Sequence, residues 1–322
     1  MKICIIGSGA YGIALASRFI RNGNEVNCYS NNINEVNELN RTRVSDKLNN
    51  HAVPSELVIS SDLELCVINS SLIVIAVPAK VVGSVCESLN KLVTSEQHFL
   101  IATKGIENES CLLLSDIVKD KLNTNKIAVI SGPTFAIDII NDSHVSFSVG
   151  SEFKESAELV INALKNDITK LEYSTDVNGI EVCGAIKNVF AVISGILGGI
   201  GVSDSTKAFF LTEALRNIKE FVSLFGGEEE TILSYAGVGD CIMTSTSVNS
   251  RNYSYGKLIG EGKYAEAREY LKNTTVEGVY TLNSVKKILS DKGKVMPIIN
   301  VLDDIINEKK DRLCILDFLI NN

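Results

Sequence analysis

Short, continuous apolar runs alternate with glycine turns and helix-compatible stretches through the first half of the chain. Lys2–Ile6 (KICII) comes first, followed at once by GSGAYG at 7–12 and a helical stretch over Ile13–Asn22. An unbroken apolar run of this length predicts a strand buried on both faces, as in a parallel sheet. Glu25–Tyr29 predicts a second strand after the Gly23-Asn24 turn. The signature recurs at Leu72–Val77 (LIVIAV), where Pro78 opens a helix to about Asn90, at Phe99–Thr103, and at Ile127–Ile130 with a short helix after it. Val145–Gly150 and Ile168–Ser174 predict two further strands. After about Asp176 strand signals largely vanish. Gly179–Leu197, Lys207–Phe225, Glu228–Tyr235, Ser250–Ile259, Tyr264–Lys272, Gly278–Asp291 and Pro297–Asn307 all suit helices. No internal repeat or low-complexity linker interrupts the order.

Strand, G-x-G-x-x-G and helix in direct succession form a dinucleotide fingerprint. Gly7 permits the tight turn, Gly9 lets the backbone approach a pyrophosphate, and Gly12 allows the helix to pack on the strand. The phosphates belong at the helix N-terminus, where backbone N–H groups point outward. The predicted fold is therefore α/β: a Rossmann-like NAD(P)-binding domain over 1–178, then an all-α substrate and catalytic domain over 179–322. In such folds an acid at the end of the second strand favours NAD, and an arginine nearby accepts the 2′-phosphate of NADP. This chain has Ser30-Asn31-Asn32 there, with neither. Arg41 and Arg43 follow in sequence and read as solvated surface, so NADH and NADPH both stay open.

Composition narrows the setting. The 322 residues suit two domains, and 45% hydrophobic with 22% charged residues is ordinary for a globular protein. A net charge of −8 argues against non-specific nucleic-acid binding while leaving room for a local basic site for a small anion. The longest apolar run, Val189–Val202, holds Ser194 and four glycines and is too short to span a bilayer. The N-terminus lacks signal-peptide organisation. Eight cysteines are spread without a CxxC pair or a Cys/His cluster, so no metal is expected and the thiols read as reduced, in a cytoplasmic protein.

Several polar residues stand out against this pattern. Gly179–Gly201 is nearly all apolar, yet Lys187 sits in mid-helix on a face shared with Cys183, Gly184, Phe190 and Ala191. Either the lysine reaches along the helix to water, or it is buried with a tuned pKa or a partner. The helix stands where the two patterns meet, a common place for small-molecule sites. Strand ends at Pro78, Lys104 and Ser131–Thr134 are candidates for one crevice, because ligands of open α/β sheets bind beyond the C-terminal ends of strands. Asp240 is a glycine-flanked acid that reads as a loop residue. Ser250-Arg251-Asn252 puts a cap, a guanidinium fork and an amide at a helix N-terminus, a combination suited to phosphate. Glu277 precedes another helix and either touches a cofactor or favours the first turn.

Taken in order, GSGAYG at 7–12, ATKG at 102–105, SGPTFA at 131–136, GAIKN at 184–188, GVGD at 237–240, SRN at 250–252 and VEG at 276–278 run through nearly the whole chain. Together they resemble the NAD(P)-dependent glycerol-3-phosphate dehydrogenases of bacterial type. The resemblance implies that Ala10 and Tyr11 contact the dinucleotide along with the fingerprint glycines. It places Lys104 beside nicotinamide and substrate, Gly132 and Thr134 at the substrate, and Ala136 and Glu277 at the cofactor. Lys187 becomes the general acid/base with Asp240 as its companion. Ser250, Arg251 and Asn252 hold the substrate phosphate, with Arg251 also near the cofactor. The implied reaction interconverts dihydroxyacetone phosphate and sn-glycerol 3-phosphate and feeds glycerophospholipid synthesis. The family often carries arginine or histidine near the position of Asn31, which weakens its usual lean toward NADPH here. Ala10 stands where serine is frequent. The other readings are a dehydrogenase of like architecture for a hydroxyacyl thioester or sugar acid, and a dinucleotide sensor without turnover. A homodimer through the helical domain is also expected.

Overall fold

The computed structural model describes residues 1–321. The chain forms two compact units. One comprises Met1–Thr103 and Leu114–Ile180; the other comprises Lys104–Leu113 and the chain from Glu181 onward. The segment Lys104–Leu113 thus groups with residues far along the chain.

Ten strands lie in the first unit: β1 (Lys2–Ile6), β2 (Glu25–Tyr29), β3 (Val44–Ser45), β4 (His51–Ala52), β5 (Val58–Ser60), β6 (Leu72–Ile75), β7 (His98–Ile101), β8 (Ile127–Ser131), β9 (Val145–Gly150) and β10 (Thr169–Ser174). β3 and β4 make a small antiparallel pair, and the other eight form one sheet in the order β10-β9-β8-β7-β6-β1-β2-β5. Every neighbouring pair in it is parallel except β8 with β9. Ile3, Ile5, Leu72, Val74, Leu100, Ala128 and Ile130 pack into one buried cluster with Ile13 and Phe19. Strand order reverses between β1 and β6, the point at which such sheets open a crevice for ligands. The fingerprint leaves β1 and Val77-Pro78 leaves β6, so both line that point. Thr103 Oγ1 secures the second connection by donating to Val77 O at 2.7 Å.

The first unit's helices are α1 (Ala10–Arg21), α2 (Ile33–Thr42), α3 (Leu63–Val67), α4 (Val82–Leu89), α5 (Leu114–Leu122), α6 (Ala136–Ile140) and α7 (Lys154–Leu164). Pro78 begins no α-helix directly; it caps a single 3₁₀ turn, Ala79–Val81, that leads into α4. α2 escapes the apolar pattern because only Val36 and Leu39 of INEVNELNRT are buried. β5 escapes it because a three-residue edge strand carries too little periodicity to read.

From Val177 the chain is helical: α8 (Val177–Ile200), α9 (Asp204–Leu224), α10 (Asp240–Thr246), α11 (Arg251–Gly260), α12 (Tyr264–Asn273), α13 (Glu277–Asp291), α14 (Pro297–Ile306) and α15 (Cys314–Asn321). α8 exceeds the apolar run within it and is long and apolar enough, by length and composition, to cross a membrane. Its apolar window is wholly buried inside the protein, so it serves as a core helix. The helix expected over Glu228–Tyr235 is instead a 3₁₀ segment, Glu229–Leu233, and one wide π-type turn, Tyr235–Gly239. Ser234 interrupts it by accepting from Gly237 N at 3.3 Å.

Glycines bring α8 and α11 into backbone contact. A Cβ on Gly195 would lie 2.1 Å from Tyr253 O, and one on Gly199 would lie 2.3 Å from Lys257 O. In return, a Cβ on Gly256 would lie 2.0 Å from Val192 O, and one on Gly260 would lie 2.1 Å from Ile196 O. Two interlocking small-xxx-small stripes therefore fix the helix that begins at Ser250 against the helix that carries Lys187. Backbone carbonyls cannot rotate away as side chains do. Gly256→Val is expected to destabilise the fold by about 1–3 kcal/mol or more, read as a lowered thermal unfolding midpoint. An unchanged midpoint would show that the two helices separate freely.

Candidate active site

The first unit supplies a dinucleotide end. Gly7 has a φ of +118°, and a Cβ there would come within 2.5 Å of Ala76 O, so the turn between β1 and α1 needs glycine on both counts. Gly12 packs its α-carbon under the same turn, where a Cβ would lie 2.0 Å from Gly7 O. Gly9 differs: a Cβ on it would meet no atom within 4 Å. It stands in extended conformation at the N-cap of α1, and no side chain caps that helix end. An uncapped helix N-terminus beside open space fits the pyrophosphate of NAD(P).

Around this turn, the Tyr11 hydroxyl and Thr134 Oγ1 are 3.0 Å apart, and Thr134 Oγ1 donates to Gly132 O at 3.1 Å. The structure thus links the fingerprint to the SGPTFA segment. Gly132 is wedged against β9, where a Cβ would lie 2.3 Å from Ser146 O, and Ala136 opens α6. Asn31 is exposed one residue before Asn32, which caps α2 by accepting from Asn34 N and Glu35 N. Arg41 pairs with Glu38 on the surface, and Arg43 donates to Leu57 O at 2.8 Å. Both nearby arginines therefore have partners.

Within the second unit three sequence candidates converge. Lys187 Nζ donates to Asp240 Oδ1 at 2.7 Å, and Lys104 Nζ donates to Asp240 Oδ2 at 2.7 Å. Asp240 is 0% exposed, and the Lys187 and Lys104 side chains are 5% and 16% exposed. Lys187 therefore does not reach along its helix to water. Asp240 is not a loop residue: it opens α10, with the wide Tyr235–Gly239 turn leading in, and an acid in a first helical turn is favoured by the macrodipole. Thr244, four residues on, accepts from Lys187 Nζ at 2.5 Å and donates to Asp240 Oδ1 at 3.2 Å. Nothing in the bare sequence marks Thr244, because its role exists only once 240–246 is helical.

Two lysines around one carboxylate leave the cluster with a net positive charge. Burial pulls the Lys187 ammonium down to about 8; Asp240 pulls it back up and Lys104 adds to the lowering. Desolvation wins over the carboxylate. For Asp240 the balance runs the other way: burial raises its pKa, but Lys104 and Lys187 together hold it below the ordinary carboxylate value. The result is a buried ammonium that is mostly protonated at neutral pH and close to its titration point.

The third constellation lies one residue along α8. Asn188 Oδ1 accepts from Asn252 Nδ2 at 2.9 Å, and Asn252 Oδ1 accepts from Gly278 N at 2.9 Å. Asn252 thereby ties the starts of α11 and α13 to the residue beside Lys187. Ser250 caps α11 by accepting from Tyr253 N at 3.2 Å, while Arg251 is exposed in the first turn. Glu277 is half-buried at the start of α13. Asn188 is a second residue that the sequence pattern does not single out, since its partner lies 64 positions away. Among the described residues no group of three His, Cys, Asp or Glu side chains is placed to hold a metal ion.

A fingerprint shaped for a dinucleotide, and a buried lysine ammonium close to its titration point, suit an NAD(P)-dependent oxidoreductase. Comparison with known proteins narrows the class. The model of the NAD-dependent glycerol-3-phosphate dehydrogenase N-terminus matches residues 2–157, and that of the C-terminus matches residues 176–317. Glycerol-3-phosphate dehydrogenase [NAD(P)+] of Staphylococcus epidermidis is 32% identical over 311 residues, covering 95% of this chain and 94% of the relative. The enzyme of the same name from Clostridium botulinum is 34% identical over 311 residues, covering 96% and 94%. The crystal structure of glycerol-3-phosphate dehydrogenase from Coxiella burnetii superposes with a TM-score of 0.94 at 28% identity, covering 100% of this chain and 99% of that one. The chain belongs to the NAD(P)-dependent glycerol-3-phosphate dehydrogenase family.

Proposed function

We propose that Lys187 is the proton donor in the reaction of this family, reduction of dihydroxyacetone phosphate to sn-glycerol 3-phosphate, with Asp240 and Lys104 as its partners. The observation that carries this reading is the buried Lys187–Asp240–Lys104 cluster, in which a lysine is brought to about 8 without losing its carboxylate. The fingerprint at 7–12 would hold NAD(P)H, which would supply the hydride for C2. The C2 oxygen gains negative charge as that happens, and an ammonium next to it both stabilises the charge and delivers the proton. Asp240 orients Lys187 through Oδ1 and holds Lys104 through Oδ2. Desolvation makes the ammonium acidic enough to part with its proton near neutral pH.

The substrate phosphate is assigned to the start of α11, where Arg251 offers a planar fork of donors and the helix end a favourable dipole. Arg251→Ala is expected to raise the KM for dihydroxyacetone phosphate by about tenfold or more, the scale of a lost charge-assisted hydrogen bond. An unchanged KM would remove the phosphate from this helix. The contacts given to Ala10, Tyr11, Asn31, Gly132, Thr134, Ala136 and Glu277 rest on the family resemblance.

The direct test is absorbance of the reduced nicotinamide, with purified protein, dihydroxyacetone phosphate and either NADPH or NADH. Substrate-dependent oxidation establishes the reaction, and the ratio of rates settles the preference left open at Asn31. Tight nucleotide binding without oxidation of either cofactor would reject the reading. A cytoplasmic setting is supported by eight free thiols. A homodimer is supported by the exposed apolar side chains Leu233, Ile242 and Val248, and sedimentation velocity tests it.

A further inference from the structure

Lys104 is a long side chain with several rotatable bonds, and such a chain keeps a short contact only from a fixed backbone. The segment that carries it is closed on itself. Ile106 bridges to Leu113, Glu107 N donates to Leu112 O at 3.2 Å, and Cys111 N donates to Glu107 O at 3.0 Å. The Glu107 carboxylate gathers the turn by accepting from Ser110 N and Ser110 Oγ, each at 2.7 Å, and from Glu109 N at 3.1 Å. Burial alone would raise the Glu107 pKa, but these hydrogen bonds hold it below the ordinary value, so the carboxylate stays charged.

One turn of α13 grips this segment. Ser284, 1% exposed, donates from Oγ to Asn108 Oδ1 at 2.9 Å. Its carbonyl accepts from Cys111 Sγ at 3.8 Å, and Lys287 Nζ donates to Glu109 O at 2.7 Å. Together these contacts set where the backbone leading back to Lys104 lies.

We propose that α13 positions Lys104: the Ser284 hydroxyl, through the Glu107–Asn108 turn, fixes the backbone from which Lys104 reaches Asp240. Ser284 is a positioning residue, and the proposal rests on the reading of Lys104, Asp240 and Lys187 as the reacting cluster. The charged and titratable groups that face Lys187 are Asp240 and Cys241 on α10, and Lys104. Loosening Lys104 removes a positive charge that helps to drive the proton off Lys187. The alkaline fall of activity then moves to higher pH.

The experiment follows kcat/KM for dihydroxyacetone phosphate against pH in the wild type, Ser284→Ala, Ser284→Thr, Asn108→Ala and Lys104→Met, with NADPH affinity measured alongside. Ser284→Ala is expected to lower kcat/KM about fivefold, as for one lost hydrogen bond. It should also move the alkaline limb upward, the direction Lys104→Met gives, with NADPH affinity unchanged. Ser284→Thr keeps the hydroxyl and should keep both values. Asn108→Ala removes the other half of the bond and should reproduce the shift, and the double variant should add little to either single one. If Ser284→Ala fails to fold, Asn108→Ala carries the test. Lower activity or stability in these variants with an unmoved limb overturns the proposal. An unmoved limb in Lys104→Met overturns the reading of the cluster itself, and the proposal with it.

Discussion

Lys187→Met is expected to lower kcat for dihydroxyacetone phosphate reduction by about 10²–10⁴-fold, the range for losing a general acid. The same variant should stay folded and bind NAD(P)H with unchanged affinity. Methionine keeps most of the aliphatic volume inside α8. Asp240 is not abandoned as a lone buried charge, because Lys104 Nζ remains 2.7 Å from Oδ2 and Thr244 Oγ1 remains 3.2 Å from Oδ1. The dinucleotide fingerprint lies in the other unit. Steady-state kinetics with a nucleotide titration separate the two effects. A folded Lys187→Met enzyme with near-wild-type kcat would remove Lys187 from the mechanism.

Asp240→Asn should have the largest effect on stability. The carboxylate is 0% exposed and holds two ammonium groups. Its loss takes from Lys187 and Lys104 the carboxylate they share. Removing one partner of a buried ion pair costs about 3–5 kcal/mol. Part of that cost is relieved when Lys187 sheds its proton, so its pKa should fall below the wild-type value of about 8. Between the depressed folded-state pKa and the ordinary lysine value of 10.5, the unfolded chain binds the extra proton. The variant should therefore gain stability relative to the wild type as pH rises from its own lowered pKa to about 8, above which both proteins gain alike. Urea unfolding at neutral and at alkaline pH measures it. Residual activity should also fall away at lower pH than in the wild type. Unaltered stability at neutral pH would mean that the lysines do not depend on Asp240.

Legibility in the sequence followed the range of the interactions. β1, the fingerprint and α1 are contiguous; Gly12 meets Gly7 within the motif, and Gly9 leaves the space that the motif itself implies. A charge inside an apolar helix announces Lys187, but its pKa depends on Asp240, Lys104 and burial, which no local pattern encodes. The two glycines just before it, Gly237 and Gly239, make Asp240 read as a loop residue; in the structure they form a wide turn that runs straight into α10. Thr244 and Asn188 matter only through partners set by the fold. The paired glycines at 195/199 and 256/260 do stand in the sequence at helical spacing, and a search for small-xxx-small stripes finds them. Lys104 reads as the residue after a strand, yet its segment belongs with α13 and α10.

The pH dependence of kcat/KM for dihydroxyacetone phosphate in the wild-type enzyme reports the titration of the free enzyme's proton donor, and so bears on Lys187 without any substitution. A single fall in activity is expected, centred near pH 8, where Lys187 loses its proton, with no such limb in the residual activity of Lys187→Met. A wild-type profile that stays level well past that point would contradict the assignment of a depressed Lys187 as the acid.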